Sequence, residues 1–214
     1  MSISFQSQDY MAYCQRAADL IEKEKDYISE LDAATGDGDH WANMNMGFQK
    51  LVAAKEELAQ LPLNELFKKI GMIMMSGIGG SSGVLYGSGY LSAAKAVGGQ
   101  ANMDIEVLSG VLNAMLEGIC KRGKSGPGMK TMIDTLHAAA DELKIAIDEG
   151  ADDETALKRM EQAAKQGMES TRDMEAVRGR AYYQAEKGVG HLDPGAVTMY
   201  YQLKTLADCM LEKC

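Results

Sequence analysis

Three aspartates fall within eight residues, in the segment Asp32-Ala-Ala-Thr-Gly-Asp-Gly-Asp-His40. Carboxylates this close repel one another unless water or a cation lies between them. The spacing is not that of an EF-hand: counted from Asp37, position five is Trp41, position six is Ala42 and position twelve is Phe48. A cluster of carboxylates without His or Cys suits a hard ion such as Mg²⁺, which takes oxygen ligands and commonly completes its shell with phosphate and water. Taken alone, the segment reads equally well as a polar loop in which Asp39 caps the following helix.

Its neighbours in composition tip the balance. Three further segments are rich in Gly, Ser, His and basic residues: Gly77-Ile-Gly-Gly-Ser-Ser-Gly83, Arg122-Gly-Lys-Ser-Gly-Pro-Gly-Met-Lys130, and Arg178-Gly-Arg180 through Gly190-His-Leu-Asp-Pro-Gly195. Lys121, Arg122, Lys124 and Lys130 border the third segment, and Arg172, Arg178, Arg180 and Lys187 surround the fourth. Arg180, between Gly179 and Ala181, is the candidate for a direct phosphate clamp. His40 and His191 carry ring N–H donors suited to phosphate, whereas His137 sits among apolar neighbours and reads as structural. Two motif matches fail on context. Gly118 to Ser125 satisfies the Walker A pattern, but its first residues belong to a helical stretch where a strand is required. Gly79-Gly-Ser81-Ser-Gly83 matches the serine-hydrolase elbow without the strand that elbow needs.

The elements that must position these loops are helices. Ala, Leu and Met number 62 in the 214-residue chain, and Val, Ile and Thr only 26, with three prolines. Such a bias favours helix over strand. Apolar residues recur at three- and four-residue steps, for example Ile105, Leu108, Leu112, Met115 and Ile119. Eight helices are predicted, over 7–31, 41–58, 62–76, 82–97, 103–121, 129–149, 152–171 and 194–212. Asp152 and Asp193, the latter followed by Pro194, are the expected N-caps of the last two. Plain connections alternate with the four special ones. If successive helices run antiparallel, all four special loops meet at one end of an all-α bundle, where helix N-termini favour an anion.

The formal net charge of −9 and the lack of a basic run argue against nucleic acid and anionic membranes. The polar N-terminus and the absence of a long apolar run argue against secretion and membrane spanning. Cys14, Cys120, Cys209 and Cys214 are too scattered for a zinc site and are expected to be reduced thiols, so a cytoplasmic protein is anticipated. With no linker, repeat or low-complexity stretch, residues 1–214 are expected to form one domain.

Taken together, Leu31-Asp32, Gly36-Asp37-Gly38-Asp39-His40, Asn43-Met44-Asn45, Gly79 to Gly83, Lys121 to Lys124, Lys130-Thr131-Met132, Gly179-Arg180-Ala181 and Gly190-His191 with Asp193-Pro194-Gly195 resemble the nucleotide-binding L subunits of dihydroxyacetone kinases. The resemblance runs through essentially the whole chain, with the motifs in order. It implies a closed barrel of eight antiparallel helices with the nucleotide at one end. It further implies two Mg²⁺ ions on Asp32, Asp37 and Asp39, bridging to the phosphates of ADP or ATP. His40, Asn43, Ser81, Ser82, Gly123, Met132, Arg180, Asp193, Pro194 and Gly195 would contact the nucleotide, with Arg180 and His40 serving catalysis. In this family a separate K subunit holds dihydroxyacetone, and a phosphotransferase-type M subunit recharges bound ADP at the expense of phosphoenolpyruvate. Two other roles stay open: half of an ATP-consuming triose or tetrose kinase, and a module carrying ADP to a transcriptional regulator. The chain departs from the family pattern at Trp41, where glycine is usual, and at Val84, where proline is usual. The Trp41 ring is expected to cover the nucleotide site or to project toward the partner.

Overall fold

The computed structural model describes residues 3–214. Within them lie ten α-helices: α1 (Ser7–Lys23), α2 (Lys25–Thr35), α3 (His40–Ala53), α4 (Lys55–Leu58), α5 (Leu63–Gly77), α6 (Gly80–Val97), α7 (Ile105–Gly123), α8 (Met132–Asp148), α9 (Asp153–Ser170) and α10 (Pro194–Leu211). Among the described residues no strand forms. A lone bridge, with Phe5 N–H donating to Met103 O at 3.2 Å and Met103 N–H to Phe5 O at 2.8 Å, ties the N-terminal segment to the approach of α7. The all-helical expectation holds.

Ten helices replace the expected eight because the first two each break. The first breaks at Glu24 (φ −90°, ψ 16°) and the second at Ala54 (φ −100°, ψ 6°). Trp41 packs at the first break. Its indole Nε1–H donates to Ile21 O, in the last turn of α1, at 3.1 Å, and Lys25 Nζ lies 4.5 Å from the ring centroid. The ring is half-buried against the core and lines no part of the candidate site described below. Of the two placements expected for the ring, over the nucleotide site or toward a partner, the first is therefore corrected.

The longer helices pack in a closed ring: α1 on α3, α3 on α5, then α5 through α10 each on the next, and α10 back on α1. Each presents an apolar stripe to one continuous core that includes Phe5, Phe48, Phe67, Tyr86 and Tyr90. Polar groups inside that core are paired. Tyr10 and Tyr90 share a hydroxyl hydrogen bond of 3.0 Å, and Gln202 Nε2 donates to Tyr86 at 2.8 Å. As expected, Asp152 and Asp193 cap α9 and α10, accepting from Thr155 N–H and Ala196 N–H at 2.7 Å each. Among the described residues no helix is long and apolar enough to cross a membrane. Cys14 and Cys209 are buried, Cys120 is half-buried and Cys214 exposed, all as free thiols.

Candidate functional site

The four special loops border a single cavity of about 670 Å³. It draws its walls from the α2–α3 loop, the start of α6, the α7–α8 connection, the segment leading to α10, and the first turn of α10 itself.

On the first wall, α2 runs past its expected end at residue 31, so Asp32 lies on its last turn. A carboxylate there faces the negative end of the helix dipole. It is held by His40 N–H, which donates to Asp32 Oδ2 at 3.0 Å. Asp39 is the N-cap residue of α3, but its side chain makes no capping bond. The reading of Asp39 as a mere cap therefore fails, and its carboxylate is left for another partner. Oxygens of Asp32, Asp37 and Asp39 all come within 4.8 Å of one another, with Asp32 buried and the other two exposed. The backbone is drawn tight around them: a Cβ on Gly36 would stand 2.7 Å from Asp32 Oδ1. An all-carboxylate trio of this kind fits a hard divalent cation and has nothing to offer a soft one.

The second wall is the start of α6. Gly79, its N-cap, has no side chain to offer, so the first-turn amides of Gly80, Ser81 and Ser82 receive no side-chain cap. Gly79 also packs closely on the Asn43 side chain, whose Oδ1 would stand 2.2 Å from a Cβ there. The start of α8, in contrast, is closed by a capping box of Thr131 and Asp134, and that of α10 by Asp193. Of the four helix N-termini expected to face an anion, α3 and α6 lack a side-chain cap, while α8 and α10 supply theirs internally.

His40 is buried, and its Nε2 shares a 2.9 Å hydrogen bond with Thr198 Oγ1 of α10. Burial lowers its pKa, against Asp32 and Asp39, which raise it. Burial likewise pushes Asp193 up to about 7, against the Ala196 N–H and Lys130, which pull it down. Arg180 Nη2 lies 2.6 Å from Asp37 Oδ2, so the clamp residue and the acidic trio already touch. Arg178 donates to Lys124 O at 3.1 Å.

All the residues singled out for metal or nucleotide line this one cavity: Asp32, Asp37, Asp39, His40, Asn43, Ser81, Ser82, Gly123, Met132, Arg180, Asp193, Pro194 and Gly195. Arg122 and Arg178 join them. Among the other basic residues, Lys187 pairs with Glu175 at 2.8 Å and does not line the cavity. His191 is exposed and offers its carbonyl, not its ring, to Lys130. Lys130 is buried, not a surface cation, and it too borders the cavity. Thr35, Val84, Leu85 and Ile133 also line the cavity without having been singled out as ligands. They are helical residues whose spacing is that of ordinary core positions, so only the turn each helix presents to the cavity distinguishes them.

The DAK2 domain model matches residues 34–208. The ADP-binding subunit DhaL of the PEP-dependent dihydroxyacetone kinase of Escherichia coli is 33% identical over 192 residues, 90% of this chain and 91% of that one. The corresponding subunit of kinase 1 of Listeria innocua is 41% identical over 176 residues, 82% of this chain and 83% of that one. The dihydroxyacetone kinase of C. freundii, solved in complex with AMP-PNP and Mg²⁺, superimposes with a TM-score of 0.70 at 26% identity. That match covers 92% of this chain but 33% of the kinase, so the chain corresponds to about a third of that protein. The cavity, its three converging carboxylates and these matches lead to one conclusion: the chain belongs to the DAK2 domain family.

Proposed function

We propose that this chain is the ADP-binding subunit of a phosphoenolpyruvate-dependent dihydroxyacetone kinase, acting as one helical domain in the cytoplasm. The observation that carries this reading is the meeting of Asp32, Asp37 and Asp39 with the uncapped start of α6 in one cavity. The names of the full-length relatives support it. Dihydroxyacetone would sit on a partner K subunit, and an M subunit of phosphotransferase type would restore the phosphoryl group on the bound nucleotide. The full-length relatives are named as PEP-dependent, which favours this arrangement over an ATP-consuming one. A role in delivering ADP to a transcriptional regulator is compatible with the same site.

Asp32, Asp37 and Asp39 would hold Mg²⁺, two ions in this reading. When bound, Mg²⁺ neutralises phosphate charge and fixes the orientation of the phosphoryl group. The chain's own residues do the rest. The amides of Gly80, Ser81 and Ser82 donate to phosphate oxygens at the positive end of α6. Arg180 exchanges part of its pairing with Asp37 for phosphate and faces the charge that builds up during transfer. His40, held by Thr198, presents its ring at the wall of the cavity, and Asn43 shares the floor with Gly79. Val84, Leu85, Met132 and Ile133 offer an apolar surface against which a nucleobase can lie. No side chain here forms a bond to phosphorus; the attacking oxygen is a hydroxyl of the sugar on the partner.

Calorimetry with Mg²⁺ and ADP tests the reading. Wild-type protein should bind ADP only with Mg²⁺ present, and EDTA should abolish binding. Asp37→Ala should abolish it too, with helicity unchanged. The Asp37–Arg180 pair lost in that variant is exposed and contributes no more than about 1 kcal/mol to stability. Equal ADP affinity in the variant and the wild type would remove Asp37 from the metal site.

A further inference from the structure

Between α9 and α10 the chain leaves the ring for about twenty residues, from Arg172 to His191, and returns to nearly the point it left. The neck of this excursion is closed by Gly190 N–H donating to Arg172 O at 2.8 Å and by Asp193 N–H donating to Thr171 Oγ1 at 3.1 Å. Beyond the neck it crosses the mouth of the cavity as a strap. On one side Val177 N–H donates to Met129 O at 3.4 Å and Arg178 to Lys124 O at 3.1 Å. On the other, Gln184 Nε2 donates to Ala34 O at 3.3 Å and Arg180 pairs with Asp37. The inner face puts Arg178, Gly179, Arg180 and Ala181 on the cavity, and the outer face exposes Tyr182 and Tyr183.

The bonds across the mouth lie at the surface, and three of the four are 3.1–3.4 Å long. At the neck the situation differs. Lys130, 3% exposed, enters from the turn before α8, and its ammonium donates to Thr171 O and, at 2.6 Å, to His191 O. These carbonyls belong to the outgoing and returning limbs of the excursion. Beside the two direct limb-to-limb bonds, these two carbonyl oxygens share one donor. An ammonium has three donors and no acceptor, so it is suited to the place between them. The surroundings fit the lysine closely. Lys130 itself adopts φ +59°, unusual for a residue with a side chain, and Gly188 passes so near its stem that a Cβ there would lie 3.0 Å from Lys130 Cε.

We propose that Lys130 is a positioning residue: by joining the two limbs of the 172–191 excursion it holds the strap across the cavity mouth and keeps Arg178 and Arg180 directed inward. Lys130 also borders the cavity, but its ammonium is engaged by the two carbonyls, and its bearing on nucleotide rests on the function proposed above. The role accounts for a buried cation whose hydrogen-bond acceptors are main-chain carbonyls and not carboxylates.

The test compares wild type with Lys130→Met, which keeps the length of the stem and loses the donors, and with Gly188→Ala, which presses on the same stem and also strains the strap at its φ of +72°. The first readout needs no nucleotide. Trypsin cleavage after Arg172, Arg178, Arg180 and Lys187 is timed on the folded protein, with helicity and hydrogen exchange in α1, α5 and α6 as controls. Both variants should be cut in the strap about tenfold faster or more, with the control helices unchanged. The second readout is Mg-ADP affinity, which should fall about tenfold in Lys130→Met. Strap cleavage at the wild-type rate in folded Lys130→Met overturns the proposal. So does faster cleavage at unchanged affinity, which would make Lys130 a staple without influence on the site. Failure of wild-type protein to bind Mg-ADP would sink the nucleotide reading instead, and the cleavage rates would still decide whether Lys130 holds the strap. Where Lys130→Met does not fold, Lys130→Gln, which loses the charge and is too short to reach both carbonyls, carries the same two readouts.

Discussion

Replacing Trp41 by Phe should cost stability and leave nucleotide binding alone. The indole N–H bond to Ile21 O, 3.1 Å long and partly buried, is lost. A net hydrogen bond contributes about 1 kcal/mol, and the abandoned carbonyl stands at the break between α1 and α2, where water can reach it. Contact between the ring and Lys25 Nζ, 4.5 Å from its centroid, contributes about 0.5–1 kcal/mol at an exposed site, and phenylalanine keeps only part of it. Most of the apolar burial survives. The expected loss is about 1–2 kcal/mol, a fall in Tm of roughly 2–8 °C for a chain of this size. Because the variant lacks the only tryptophan, urea unfolding is followed by far-UV circular dichroism, with Mg-ADP affinity measured alongside by calorimetry. A variant as stable as wild type but binding Mg-ADP tenfold more weakly would refute the reasoning and return Trp41 to the site.

Gly79→Ala would bring a Cβ to 2.2 Å from Asn43 Oδ1, and Asn43, being only partly buried, can swing away. The variant should fold normally yet bind Mg-ADP about tenfold more weakly; unchanged affinity would show that the Asn43 side chain and the tight approach to α6 do not matter for ligand. Asp193 gives a pH signature. Burial raises its pKa from 3.8 to about 7, so the folded chain holds that proton more tightly than the unfolded chain does. The contribution to stability is full below about pH 4 and is lost as pH rises through about 7. Asp193→Asn, which can still accept from the Ala196 N–H, should flatten the fall in stability across that window, as read by urea midpoints at successive pH values. An unchanged slope would mean that Asp193 ionises normally.

Much of the site could be read from the sequence because it lies at helix ends. Loops between helices must be spelled in Gly, Asp, Ser and Pro, and a loop with three carboxylates or an uncapped Gly-Ser-Ser start advertises its chemistry. Asp32, Ser81, Arg180 and Asp193 stood out on that basis, and one cavity gathers them. The helical residues of the wall did not stand out, since Thr35 and Leu85 follow the same periodicity as any core position. The breaks at Glu24 and Ala54 are invisible for a related reason: neither has Gly or Pro nearby, and the residue that meets the first is an indole from another helix. Lys130 was legible as a charge but not as a buried one, because its partners are main-chain carbonyls about forty and sixty residues away.

The closure of α10 on α1 bears on how the chain folds. The acidic loop and the start of α6 come from one half of the chain, while Met132, Arg180 and Asp193 come from the other. The cavity cannot exist before the ends of the ring meet, and contacts so remote in sequence are slow to form because the loop entropy is spent before they repay it. A nascent chain holding α1 through α7 thus carries the carboxylates but no pocket. Any molecule that occupies the finished pocket bridges both halves, binds the closed ring and not the open one, and raises global stability by RT ln(1 + [L]/Kd). The ligand of this protein is in that sense its clasp, and ligand-free chains should be the ones most exposed to unfolding and proteolysis.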